Sequence, residues 1–186
     1  VGISAWTEWW YSTFELGRLI KQALPRTHVC YGGPHVGIFS EETLEQDHTD
    51  SIIVGDGEIP MAMLCDRLAG ISNDNMPGLH IKSDGIDGQN LFYIQKDLDI
   101  LPIPDRTILP VKNYTSVIGK ASFITTMITS RGCPYQCIYC KLNFQKTICR
   151  SAASVVEEFD RLRSLDMQEV EIYDDTFTWS KQRVID

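Results

Sequence analysis

Histidine is scarce in this chain and stops early: the four are His28, His35, His48 and His80, and none follows. A structural zinc site draws on paired Cys-x2-Cys clusters or on histidines at set intervals, so a completed one finds little support in the second half. Cysteine is also sparse, with six in 186 residues and no secretory segment, which argues against a disulfide scaffold. Positive charge is short: 17 Lys and Arg stand against 25 Asp and Glu, a net charge of −8, which speaks against a nucleic-acid surface. No apolar run approaches the ~20 residues of a membrane span, so none is expected. Internal repeats and low-complexity tracts are missing as well. There is no initiator methionine: Val1 opens in an apolar segment, and Asp186 closes in what reads as a starting helix. The expectation is an internal piece of a longer protein. What remains, 43% hydrophobic residues in 186, suffices to bury a core in one or two domains.

Three of the six cysteines crowd into Ser130-Arg-Gly-Cys-Pro-Tyr-Gln-Cys-Ile-Tyr-Cys140. Their spacing is Cys-x3-Cys-x2-Cys, and Cys149, nine residues further on, falls at no matching interval. An ordinary 4Fe–4S cluster takes four thiolates. Three on one short loop would hold three irons and leave the fourth open to a small molecule, which suits chemistry better than electron storage. Zinc and unliganded thiols are the competing readings. Free thiols and a candidate cluster suit a reducing cytoplasm.

Along the first ninety residues, strand-like and helix-like pieces alternate, which predicts a parallel α/β sheet. Strands are expected at 1–4, 28–31 and 51–54, the last two stopped by Gly32-Gly33-Pro34 and Gly55-Asp-Gly57. Ser12 with Glu15 reads as a capping box ahead of Leu16, Leu19, Ile20, Ala23 and Leu24 at helical spacing. A short helix is expected near Glu41 to Gln46 and another after Pro60, ending at Gly70. Residues 71–95 are rich in Gly, Asn and Asp, with a hairpin expected around 83–88. The prolines at 102 and 104 then predict an extended linker. After it, 122–129 reads as a strand running into the cysteine loop, Ser154 and Glu157 as a cap for a helix presenting Val155, Phe159 and Leu162, and 169–173 as a strand ending at Asp174-Asp175.

The cysteine loop, with Tyr139 just before its last cysteine, resembles that of the radical S-adenosylmethionine (SAM) enzymes. Val1-Gly-Ile-Ser4, Tyr31-Gly-Gly-Pro-His35, Val54-Gly-Asp-Gly-Glu58, Leu98-Asp-Ile-Leu-Pro-Ile-Pro-Asp-Arg106 and Tyr173-Asp-Asp-Thr-Phe-Thr178 look like the cobalamin-binding domain, linker and second strand of the cobalamin-dependent members. The resemblance implies an α/β chain. A partial Rossmann-like parallel sheet of the cobalamin-binding type would occupy 1–95 and a linker 96–118. The first units of a partial (β/α) barrel of the radical SAM type would fill 119–186. It implies a 4Fe–4S cluster on Cys133, Cys137 and Cys140, and SAM beside Tyr139, Asp174 and Asp175. Cobalamin would sit at Gly32, Gly33, Pro34, Gly55, Gly57 and Glu58. Glycines after strands usually just make turns, and Asp174 and Asp175 could equally cap the next helix. Placed beyond the carboxyl ends of parallel strands, the glycines would also let backbone approach a bulky ligand closely. No Asp-x-His-x-x-Gly element is present, and His35 reads as a hydrogen-bonding surface residue, not as a cobalt ligand. Arg150 reads as a surface or capping residue. Cys30, Cys65 and Cys149 read as small buried apolar side chains. Trp6, Trp9 and Trp10 would pack in the core or at an interface.

By this resemblance the parent enzyme would cleave SAM reductively to a 5′-deoxyadenosyl radical and transfer a methyl group to an unactivated carbon. An external electron donor such as flavodoxin or ferredoxin and a small-molecule substrate are the implied partners. Ring closure or rearrangement is the first alternative, and a non-catalytic iron–sulfur or corrinoid-binding module the second. Methylthiotransferases bring three further N-terminal cysteines, whereas this chain offers only Cys30 and Cys65 there. With both cofactor domains truncated, the piece alone is expected to turn over weakly or not at all.

Overall fold

The computed structural model describes residues 1–140 and 146–185; Asp186, expected in an opening helix, lies outside them. Two compact units divide the chain, Val1–Gln95 and Lys96–Asp186. The first is an α/β sheet in the order β1 (Gly2–Ser4), β2 (Cys30–Gly32), β3 (Ser51–Ile53), β4 (Leu79–Ile81). The first three strands are parallel, with Gly2 opposite Cys30 and Cys30 opposite Ser51. β4 pairs antiparallel to β3 and ends just ahead of the expected hairpin at 83–88, so its partner is β3 and not a strand beyond that turn. An antiparallel edge on a parallel sheet is a common arrangement.

Side chains alternate across this sheet, as the pleat requires. Val29, Tyr31, Ile52 and Val54 pack with Ala5, Val36 and Leu44 on one face, and Cys30 and Ile53 pack with Leu64 on the other. The faces are covered by α1 (Trp10–Ala23), α2 (Pro34–Ile38), α3 (Ser40–Glu45) and α4 (Glu58–Leu68). α1 starts two residues before Ser12, so the expected capping box does not form, and Glu15 pairs instead with Arg18 at 2.6 Å. His35 is not a surface residue. It is 3% exposed, because α2 begins at Pro34 and lays the imidazole on the Trp10 ring, 4.1 Å away and tilted by 21°. Trp6 and Trp9 stay exposed, and of the three tryptophans Trp10 packs against the core.

In the second unit, β5 (Ile124–Met127) and β8 (Glu169–Ile172) are parallel, with Ile124 opposite Glu169 and Met127 opposite Ile172. Between them run β6 (Ser130–Arg131), β7 (Ile148–Cys149) and α5 (Ala152–Ser164), and α6 (Lys181–Ile185) follows. α5 is capped by Ser151, which accepts a bond from Ser154 N at 3.2 Å, three residues ahead of the expected cap. Its buried face carries Leu162 and, unexpectedly, Glu158, while Phe159 is half-exposed. Residues 96–118 cluster with this unit through short 3-10 turns at Leu98–Ile100, Arg106–Ile108 and Val111–Asn113. No helix among the described residues is long and apolar enough to cross a membrane.

Candidate functional site

The cysteine loop hangs from the carboxyl end of β5. Its neck is the two-residue ladder β6–β7, which pairs Ser130 with Cys149 and Arg131 with Ile148. Gly132 then turns the chain at φ 85° into Cys133. The Cys133 sulfur is partly buried, 3.3 Å from Thr176 Oγ1. Cys137 and Cys140 are exposed and share one tight turn, in which Cys140 N donates to Cys137 O at 2.9 Å. Tyr139 is exposed, and the Cys137 sulfur beside it holds its phenol above the usual range. All six cysteines are free. Among the described residues no three Cys, His, Asp or Glu side chains converge to hold a metal ion, so the three sulfurs share a loop without meeting at a point. As a donor set they nevertheless fit an iron–sulfur cube: three free thiols on one short segment, two exposed and one partly buried, in a class of site that commonly orders on binding.

The acidic pair at the end of β8 faces this loop. Tyr173 N reaches Met127 O at 2.8 Å, which continues the parallel register and brings Asp174 alongside Thr129. Its carboxylate, with no exposed side-chain surface, accepts Thr129 N and Oγ1 at 2.6 Å each and Ser130 N and Oγ at 2.9 and 2.7 Å. Arg183 adds a contact at 3.3 Å. Burial alone would raise the Asp174 pKa, but the hydroxyl and amide donors of Thr129 and Ser130 outweigh it and hold the carboxyl below its usual range. Asp175 is exposed and accepts Gly132 N at 2.9 Å. The two aspartates therefore differ. Asp174 is fully engaged with the loop's incoming strand, whereas Asp175 keeps solvent access.

In the first unit, the glycine loops follow β2 and β3, whose register sets Tyr31 opposite Ile52, so both leave from the carboxyl edge of the parallel strands. Gly32, Gly33, Pro34, Gly55, Gly57 and Glu58 all gather at this edge, with Pro34 opening α2 and Glu58 opening α4. Gly33 has φ 92°, and a Cβ there would lie 2.9 Å from Ala5 O and Ser4 Oγ. Gly55 has φ 99°, and a Cβ would collide with the Tyr93 carbonyl. Gly32 and Gly57 have room: the nearest atoms to an added Cβ are Ile53 O at 3.6 Å and Ile53 Cγ2 at 4.0 Å. Sequence reasoning missed the segment that closes over Gly55. There Tyr93 N bonds Val54 O at 3.0 Å, Asp56 N bonds Tyr93 O at 2.9 Å, and Gln95 N bonds Asp56 Oδ2 at 2.8 Å. It also missed Arg106 and Glu158, for which a lone Glu at an apolar helical spacing was the available signal.

No family model matches the chain. It is 31% identical over 195 residues to an uncharacterised methyltransferase of Pyrococcus horikoshii, covering 100% of this chain and 41% of that protein. It is 24% identical over 197 residues to cytidylyl-2-hydroxyethylphosphonate methyltransferase of Streptomyces wedmorensis, covering 88% of this chain and 37% of that protein. The chain thus spans about two-fifths of the length of these relatives. Among solved structures it resembles TsrM of Kitasatospora setae, a radical S-adenosylmethionine methyltransferase. The form with tryptophan substrate and a SAM analogue bound gives a TM-score of 0.70 at 17% identity, over 98% of this chain and 38% of that one. The form with cobalamin and a 4Fe–4S cluster bound gives 0.68 at 16% identity, over the same shares. The sequence relatives are thus methyltransferases, and the fold is that of a radical S-adenosylmethionine methyltransferase.

Proposed function

The chain is a relative of methyltransferases with the fold of a cobalamin-binding radical SAM enzyme, and we propose that it carries parts of all three cofactor sites of such an enzyme. The observation that supports this best is the shared edge of β5 and β8, where one parallel pair presents a three-thiol loop and a carboxylate pair side by side. In this reading Cys133, Cys137 and Cys140 bind the 4Fe–4S cluster and leave one iron for SAM. When bound, the reduced cluster supplies the electron that cleaves SAM to a 5′-deoxyadenosyl radical, and cobalamin supplies the methyl group for an unactivated carbon of a small-molecule substrate. Asp175, accessible where Asp174 is not, is the charge-assisted partner for the SAM ammonium. Tyr139, exposed beside the cysteines, would contact the adenine of bound SAM. Gly32 and Gly57, with open space where a Cβ would stand, let backbone approach the corrin, and Gly33, Pro34, Gly55 and Glu58 shape the same edge. An electron donor of the flavodoxin or ferredoxin type would reduce the cluster.

Anaerobic reconstitution with iron and sulfide tests the reading. A brown absorbance is expected, with loss of that absorbance when Cys133, Cys137 and Cys140 are all replaced by Ala. Retention of the same colour in the triple variant would overturn the assignment. SAM should then alter the electron paramagnetic resonance of the reduced cluster, a change that a plain electron carrier would not give.

A further inference from the structure

The buried face of α5 holds a carboxylate where apolar packing would suffice. Glu158 is 1% exposed and lies between two guanidiniums, accepting Arg106 Nη2 at 2.6 Å on Oε1 and Arg150 Nη1 on Oε2. The two arginine side chains are each only 10% exposed. Arg106 also donates to Thr126 O at 2.8 Å, Thr125 Oγ1 at 3.0 Å and Pro104 O at 3.3 Å. Arg150 donates to Ile128 O at 3.3 Å and to Ser154 O at 2.9 Å. Buried ion networks are weak devices for stability, since well-packed apolar residues often serve as well. What planar guanidinium forks provide is direction. Here the direction is specific. Thr126 and Ile128 are on the last stretch of chain before the cysteine loop, and Arg150 is the residue at which the loop returns, its own N–H on Thr129 O at 3.0 Å.

We propose that Glu158 is a positioning residue for the cysteine loop: through Arg106 and Arg150 it registers the incoming and outgoing strands to a single carboxylate, so that the neck opens only when this network breaks. The network also ties the Pro104-Asp105-Arg106 turn to the same point, which makes that segment part of the loop's mounting. Only the iron-binding arm of the test below depends on reading Cys133, Cys137 and Cys140 as cluster ligands.

The experiment compares Glu158→Gln, Arg106→Lys and Arg150→Lys with the unaltered full chain. Two quantities are measured: amide hydrogen exchange in peptides covering 128–132 and 148–151, and iron bound after anaerobic reconstitution. Losing the shared charge should speed exchange at the neck by about tenfold or more, with the interior of α5 and the whole first unit unchanged. Iron affinity should fall roughly tenfold, the scale on which outer partners of metal ligands act. Exchange and iron both at the unaltered level in Glu158→Gln would overturn the proposal. So would acceleration spread evenly over the second unit, which is what a merely structural role produces. Should Glu158→Gln unfold that unit, the lysine variants decide, because they keep the charge and lose only the fork: neck exchange unchanged in both would overturn the proposal. If the unaltered chain takes up no iron, the proposed function fails, and the exchange arm still judges this inference.

Discussion

At the carboxyl edge of the first sheet, glycine serves two different ends. Gly33 and Gly55 sit at φ 92° and 99°, and any side chain there would meet the chain's own backbone, at Ala5 and at Tyr93. Left-handed backbone at a residue with a Cβ costs on the order of 1–3 kcal/mol before any clash is counted. Gly55→Ala and Gly33→Ala are therefore expected to lower stability by at least about 1–3 kcal/mol in urea unfolding followed by far-UV circular dichroism. Gly32 and Gly57 have ordinary contact distance or better around an added Cβ. Gly57→Ala should leave the unfolding midpoint near its original value and weaken corrinoid uptake, read as the absorbance of retained cobalamin. Unaltered cobalamin uptake would remove Gly57 from the proposed site. The acidic pair divides in the same way. Asp174→Ala strands the buried donors of Thr129, Ser130 and Arg183, a loss of roughly 3–5 kcal/mol by analogy with other broken buried pairs. Asp175→Asn should change stability little and weaken the SAM-induced resonance change, and the opposite ranking would reverse the two roles.

At the level of elements, β1, β2, β3, β5 and β8 and most helices were legible from short, uniform apolar runs, whereas β4, β6 and β7 were not among the expected strands. The paired glycines stop β2 and β3 where expected, and Asp174-Asp175 follows β8 as read. Helix starts were less legible. A Ser or Thr three residues ahead of an acidic residue marks a cap only if tertiary packing has not already begun the helix. Trp10 begins α1 early by packing on Tyr31 and His35, with ring centroids 5.8 and 4.1 Å away. For α5, Ser151 rather than Ser154 is the cap, because the chain leaves the β6–β7 neck directly into it. Ser151→Ala should cost about 0.5–2 kcal/mol, measured as a shift in the unfolding of the second unit, whereas Ser154→Ala should cost less of the capping energy. In the candidate site, the Cys-x3-Cys-x2-Cys loop that is proposed to hold the cluster could be read from spacing alone. Its mounting could not, since Arg106 lies tens of residues ahead of Arg150 and Glu158 and reaches them only when β5 and α5 pack.

Across the whole molecule, the two units carry different kinds of buried polarity, and this should divide their response to pH. The second unit buries charged pairs. The first buries imidazoles: His35 lies between Trp10 and Phe39, and His48 packs edge-on to Phe14 at 4.3 Å. Burial lowers the pKa of both from the usual 6.5, with Glu42 opposing at His35, while at His48 Lys82 adds to the lowering and Asp47 opposes it. His28, half-buried beside Asp50 and Lys21, is lowered as well, again chiefly by burial. A depressed folded-state pKa means that above about 6.5 both folded and unfolded chains are neutral at these sites and stability is complete. As the pH falls below that, the unfolded chain takes up protons first, and stability drains until the folded imidazoles also titrate. On the alkaline side, burial pushes the Tyr31 phenol up to about 12 from 10.0, so stability is lost as the pH climbs from about 10 towards 12. Thermal unfolding monitored by Trp6, Trp9 and Trp10 fluorescence in a Trp179→Phe background should therefore move to lower temperature between pH 7 and 5.5. His48→Phe should flatten that acid limb while leaving the alkaline one in place. A first-unit transition that stays fixed over pH 5.5–7 would mean that the buried rings protonate as readily folded as unfolded, contrary to their packing between aromatic side chains.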